Sequence, residues 1–436
     1  MAALNLTLSA CASYSTRTQD FRQLLNNGDA SQALDYLRTH PPSGDDRVLY
    51  DLNMGLVLRL NGELAASNTA LEKAKRHMDD LESFSVTENI GTLVINDQTG
   101  SYAGQPYERL YVYAYKALNY IDLGDWAGAR VEMLQANVKM QEWNTSNNVE
   151  GIKASAFVRY LAGIVYEANN ELNDALIAYR QSYEIYQANE QSTPEPLQRD
   201  LLRISERLNR DDELKKYRAA FGFIENKKPK ENKSLLKENK PHIAELVVLH
   251  HQGLISAMQQ HSSMVFAPTL SKSIRISAPY YGSRPFSVNN TDVMLDDQTA
   301  LTVELENVDQ LARNNLEARM AGIIARIIAR SVVKYNVADQ VGDRNPLLGL
   351  MTQVVNLVSE TADTRSWQSL PMNIQITRLP IEIGEHRVII KSTMPNGMSY
   401  QREHMVRINK NTSIILINDH TNGIDTIRTE KSARIF

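Results

Sequence analysis

The chain has 436 residues, enough for two or three domains, and 42% hydrophobic with 22% charged residues is the balance of an ordinary globular protein. A net charge of −4 argues against a general nucleic-acid binder, and no run of about 18 apolar residues is present to cross a membrane as a helix. The single cysteine, Cys11, excludes an intramolecular disulfide and any Cys-rich zinc site.

Cys11 ends the stretch Leu8-Ser9-Ala10-Cys11. Small residues before a cysteine suit a narrow peptidase groove, and the stretch resembles the lipobox of bacterial lipoproteins. In that family the preceding peptide is removed, and the cysteine thiol and new amino group are acylated. The resemblance implies a truncated signal over 1–11, with Cys11 as the lipidation site. Ala12 in place of Asp then implies sorting to the outer membrane, periplasmic side. The sequence departs from the pattern in having only ten residues before Cys11 and no basic n-region. The other reading is an ordinary N-terminal helix with an incidental cysteine on a cytosolic protein.

Helical patterning dominates 12–224. Gly28 and Gly62 are corner glycines 34 residues apart. Gly55, Leu58, Leu71 and Ala74 surround the second corner. A third unit carries Ala117, Tyr120, Gly124, Ala129 and Ala136. The fourth, 155–187, is the clearest, with Gly163, Tyr166, Ala175 and Tyr179 at matching offsets around Asn169-Asn170. Small residues let two helices approach, aromatics fill the gaps, and corner glycines permit positive φ. This spacing resembles the tetratricopeptide repeat, in which each helix–turn–helix unit needs neighbours to bury its apolar face. The resemblance implies protein partners on the concave face. The Gly- and Thr-rich stretch near 82–107 reads as an insertion with a short hairpin at Thr92–Ile95, and Glu142–Gly151 as a second break. One helix over 195–221 is expected to cap the array. The tyrosines 111, 113, 115 and 120 read as core at helical spacing rather than as a ligand groove.

Residues 225–241 contain six lysines and two prolines with almost no apolar side chains, a solvated Lys-rich linker. Over 242–420 the period changes to that of strands. Ala244–Leu249 reads as a buried strand. Ser273–Ser277, Ala300–Leu305, Asn373–Thr377, His386–Lys391, Tyr400–Arg407 and Thr412–Asn418 read as further strands. Pro395-Asn396-Gly397 marks a hairpin turn. Two amphipathic helices are expected, Asp309–Tyr335 and Leu347–Thr361. In the first, Met320, Ile323, Ile324, Ile327 and Ile328 form the apolar stripe, with Arg319, Arg326 and Arg330 opposite it. The tail 421–436 reads as loose. The expected fold is therefore α+β, an N-terminal tetratricopeptide-like α-solenoid followed by a mixed domain with two amphipathic helices and a small antiparallel sheet or sandwich.

Between the second helix and the strands lies Ala362-Asp363-Thr364-Arg365-Ser366-Trp367, followed by Leu370-Pro371. With the repeats and the cysteine, this segment resembles proteobacterial outer-membrane lipoproteins that carry an ADTRSW…LP segment. That family stands near penicillin-binding-protein activator lipoproteins, which implies a role in cell-envelope assembly.

No HExxH, Walker loop, GxSxG or GxGxxG appears. His250 and His251 fall on opposite faces of a strand and so do not share a metal. Asp211-Asp212 and Asp296-Asp297 read as cap and turn residues. No catalytic residue, cofactor or metal is expected. The expected function is a periplasm-facing scaffold that holds envelope proteins and forms homo- or hetero-oligomers. Arg319, Arg326, Arg330, Arg365 and Trp367 are its candidate contact residues. A cytosolic repeat adaptor is the alternative, and an enzyme on envelope polymers the third reading.

Overall fold

A computed structural model describes residues 14–42, 44–85, 100–145, 155–222, 243–267, 272–283, 291–344, 361–393, 399–421 and 430–431. Cys11, the linker, the Thr92–Ile95 hairpin, the Glu142–Gly151 break beyond residue 145, the Leu347–Thr361 helix up to residue 360 and the Pro395–Gly397 turn lie outside them.

The first half is a run of helices, α1 (Tyr14–Arg17), α2 (Gln19–Asn26), α3 (Ala30–Thr39), α4 (Arg47–Leu60), α5 (Leu64–Ser85), α6 (Pro106–Asp122), α7 (Trp126–Thr145), α8 (Ala156–Ala168), α9 (Leu172–Ala188), α10 (Glu195–Arg207) and α11 (Asp211–Ala220). They pair as antiparallel hairpins, α4 with α5, α6 with α7 and α8 with α9. Gly62 (φ 77°) and Gly124 (φ 78°) turn two of the corners in the left-handed region that glycine enters without strain. Close approach explains the other two glycines. A Cβ on Gly55 would sit 2.5 Å from Leu71 Cδ2, and one on Gly163 would overlap the Tyr179 ring. Ala129, Ala175 and Tyr179 are fully buried and Tyr166 nearly so. The cap expected as one helix is two, α10 and α11, because Asn209 at φ 54° breaks the run.

The second half contains β1 (Ile243–Gln252), β2 (Met258–Ala267), β3 (Lys272–Tyr281), β4 (Thr291–Leu295), β5 (Gln298–Leu301), β6 (Val303–Asn307), α12 (Val308–Arg344), β7 (Asn373–Glu382), β8 (Gly384–Thr393), β9 (Ser399–Ile408), β10 (Ile414–Thr421) and β11 (Glu430–Lys431). One sheet has the order β10-β1-β7-β6, the second β11-β9-β8-β4-β5, and β2-β3 forms a separate ribbon. The expected antiparallel pairing is corrected at two places, where β1 and β10 run parallel with Val247 opposite Leu416 and where β9 and β11 run parallel with Arg402 opposite Glu430. The tail, expected to be loose, contributes the short strand β11 beside β9.

Alternation along the strands explains how the layers stack. On β1, Val247 and Leu249 join the core shared with the helices, while Ala244, Leu246 and Val248 join a second core against the other sheet. On β10, Ile414 and Leu416 face the helices, and Ile415 and Ile417 face the second sheet. The first sheet is thus a middle layer buried on both faces, which accounts for the unbroken apolar runs in β1 and β10.

Candidate interaction site

The inner helices α4, α6 and α8 decide what the repeat array can bind. On α6 the buried residues run around the whole helix, Tyr107 to Leu118 without interruption. Those facing away from the outer helices meet this chain's own second half, since α6 touches β10 and α12, and α8 touches β6. The expectation of a foreign partner on the concave face is therefore corrected. That face is filled by the chain's own sheet and by the segment 361–372.

Three polar contacts fix this seam. In the first, Trp367 is fully buried, with its ring edge-on to Tyr115 at 6.1 Å, and its N–H donates to Glu108 Oε1 at 2.6 Å. Tyr102 Oη and the Gln105 N–H donate to the other oxygen at 2.6 and 2.8 Å. Burial pushes the Glu108 carboxyl up, and these donors pull against it. Ser369 Oγ donates to Asn53 Oδ1 at 2.8 Å, and Arg365 donates to Gly100 O at 2.8 Å while pairing with Asp363 at 2.7 Å. In the second contact, Glu306 of β6 accepts the Ala156 N–H at the start of α8, at 2.9 Å, and Tyr111 Oη at 2.7 Å. A carboxylate at a helix N-terminus is favoured by the free N–H groups and the dipole. The third is ionic. Arg378 of β7 reaches Asp200 Oδ2 at 2.7 Å and Glu167 Oε2 at 3.2 Å, and Arg203 completes the cluster. Burial alone would raise the Glu167 carboxyl, but Arg378 and Arg203 hold it down at about 2.

The candidate contact residues therefore divide. Arg365 and Trp367 are internal fastenings, 5% and 0% exposed, and not an outer surface. Arg330 is also corrected, being 2% exposed on the buried side of α12. The buried stripe of that helix passes through Leu316, Ile323, Ile327 and Arg330, and leaves Ile328 exposed. The stripe is rotated from the expected one because α12 packs on β3 and α6 rather than flat on a sheet. Arg319 and Arg326 remain on the accessible side. They line a groove of about 260 Å³ whose walls include Tyr102, Met258, Leu316 and Ile323.

The histidines have structural roles. His250 bonds Asp419 and Thr421 at 2.8 Å each. His251 stacks on His420 at 4.5 Å, and burial holds both well below the usual histidine range. His250 and His251 do point to opposite faces, and no group of metal-ligating side chains is found among the described residues. A cavity of about 440 Å³ lies at the repeat corners, lined by Arg59, Asp122, Arg402 and His420. Both arginines there are already paired, Arg59 with Asp122 at 2.7 Å and Arg402 with Asp419 at 2.9 Å. Neither pairing is visible in the sequence, because 63 positions separate Arg59 from Asp122 and 17 separate Arg402 from Asp419.

No protein-family model and no curated protein matches the chain. Among solved structures it is similar to MamA (residues 41 to the end) from Desulfovibrio magneticus RS-1, at 14% identity, over 47% of this chain and 88% of that one, with a TM-score of 0.30. It is also similar to the apo form of RapI, at 12% identity over 46% of this chain and 66% of that one, with a TM-score of 0.34. A third is MamA AMB-1, at 11% identity over 48% and 91% of the two chains, with a TM-score of 0.31.

Proposed function

We propose that this protein is a lipid-anchored scaffold of the cell envelope, held through Cys11 in the outer membrane on its periplasmic side. It presents partner-binding surfaces outside the concave face of its repeats. The observation that carries this reading is the filled inner face. Asn53 of α4 and Glu108 of α6 are fastened to the 361–372 segment, Glu306 ties α6 and α8 to β6, and Arg378 ties α8 and α10 to β7, so the array is a rigid body and not an open cradle. A rigid body with no convergent set of reactive groups among the described residues suits positioning of other proteins. Lipobox-like residues at Leu8–Cys11 supply the anchor, and two or three acyl chains hold a protein stably where one does not.

Mass spectrometry of the native product tests the anchor. A diacylated or triacylated peptide beginning at Cys11 is expected, with the protein in the membrane fraction. An unmodified cysteine and a wholly soluble pool would leave the cytosolic adaptor in its place.

A further inference from the structure

We infer that the groove beside α12 is a docking site for an extended acidic peptide segment of a partner protein. This rests on the scaffold reading and supplies the partner chemistry. Arg319 and Arg326 are seven residues apart on one helix. They therefore point to the same side about two turns apart, with head groups separated along the axis by about 10 Å. Between them lies Ile323, and together with Leu316 and Met258 it gives the groove an apolar floor. Neither guanidinium group forms an ion pair with an acid among the described residues, although the Arg319 charge helps to hold down the buried Glu108 carboxyl. Among the described residues Arg319 bonds only the carbonyl of Asn315 through Nε, at 3.1 Å. The acids on the groove wall and behind it are engaged elsewhere. Asp363 is held by Arg365 at 2.7 Å, and Glu108 is enclosed by Tyr102, Gln105 and Trp367.

Two unpaired guanidinium forks flanking an apolar strip call for two carboxylates flanking an apolar side chain. An extended segment in the polyproline II conformation has three residues per turn and rises about 3.1 Å per residue, so carboxylates three residues apart lie on one side about 9 Å apart and match the arginine spacing. The Arg365 guanidinium, stacked over Tyr102 at 5.5 Å, makes the far wall planar and keeps Asp363 from competing. The groove volume of about 260 Å³ takes the central two or three side chains of such a segment.

The test uses the full chain without acyl groups and a fluorescein-labelled octapeptide with Glu-Leu-Val-Glu at its centre, read by fluorescence anisotropy. Saturable binding is expected. Replacing both peptide glutamates by glutamine should weaken it at least tenfold, as should Arg319→Gln combined with Arg326→Gln. Circular dichroism should show the double variant folded, since both side chains are accessible and glutamine keeps much of the aliphatic stem. Equal binding of the glutamine peptide, or binding indifferent to the two arginines, overturns the proposal. Two further results also overturn it. One is arginine-dependent binding to phosphatidylglycerol vesicles with none to the peptide, and the other is arginine-dependent dimerisation by light scattering with none to the peptide. None of these readouts depends on Cys11, so failure here is distinct from failure of the anchor.

Discussion

Oε1 of Glu108, in the first turn of α6, accepts the main-chain N–H of Trp367 at 2.6 Å across 259 positions of sequence. A helix N-terminal residue thus receives a strand-like segment as though it were a bound peptide. Replacing the carboxylate strands the Trp367 N–H, the Gln105 N–H and the Tyr102 hydroxyl in a buried site. Each such group costs on the order of 1–3 kcal/mol. Glu108→Ala is expected to lower the urea midpoint and shift tryptophan emission to the red as Trp367 meets water. An unchanged midpoint would remove Glu108 from the seam.

Gly163 tests the close crossing of α8 and α9. A Cβ there overlaps the Tyr179 ring, and that tyrosine is held by Glu167 at 2.8 Å, so it has little room to retreat. Gly163→Ala should destabilise by about 1–3 kcal/mol, despite alanine being the better helix former. A melting temperature equal to or above that of the parent would contradict the crossing.

The Arg378 cluster predicts a pH dependence. Glu167 has a folded pKa of about 2, below its unfolded value of about 4.3. A depressed carboxylate contributes stability above the unfolded value and loses it as pH falls through the window from about 4 to about 2. The contribution is on the order of 3 kcal/mol. Denaturant midpoints should fall steeply below pH 4 in the parent, and Glu167→Gln should flatten that part of the curve. Arg378→Ala, which leaves Asp200 and Glu167 buried with Arg203 alone, should cost about 3–5 kcal/mol at pH 7.

Charge reversal on α12 separates its two sides. Arg326→Glu falls on the accessible side and should leave the melting temperature within a degree or two. Arg330→Glu puts a carboxylate where a buried guanidinium was, and should cost several kcal/mol. Similar thermal behaviour of the two variants would mean that the helix is rotated from the orientation described.

The repeat half was legible because its signals are local. Gly62 and Gly124 mark corners by backbone necessity, and Gly55 and Gly163 mark close approach within one hairpin. The buried reading of β1 was legible from the apolar run Leu246–Leu249, though not the fact that helices cover one face and a sheet the other. What stayed hidden is long-range. The parallel partner of β1 comes from Ile414–Thr421, and no periodicity announces register between distant strands. Arg330 was misplaced because a stripe drawn from the isoleucines alone ignores which neighbour the helix meets. Trp367 was recognisable as an anchor, but its socket of Glu108 and Tyr115 lies in another half of the chain.

The parallel pairing of β1 with β10 also sets an order of assembly. Synthesis delivers the helical hairpins first, each able to close on its neighbour as it emerges. β1 follows with apolar side chains on both faces and both edges still open. One edge stays open until β7 arrives, and the other until β10 follows it. For most of its birth the molecule therefore carries an uncovered inner surface and a free strand edge, the two features most prone to mispairing. A chaperone that shields this stage should be required in proportion to translation speed. Truncations that remove Ile414–Thr421 should yield aggregates rather than a shorter soluble protein.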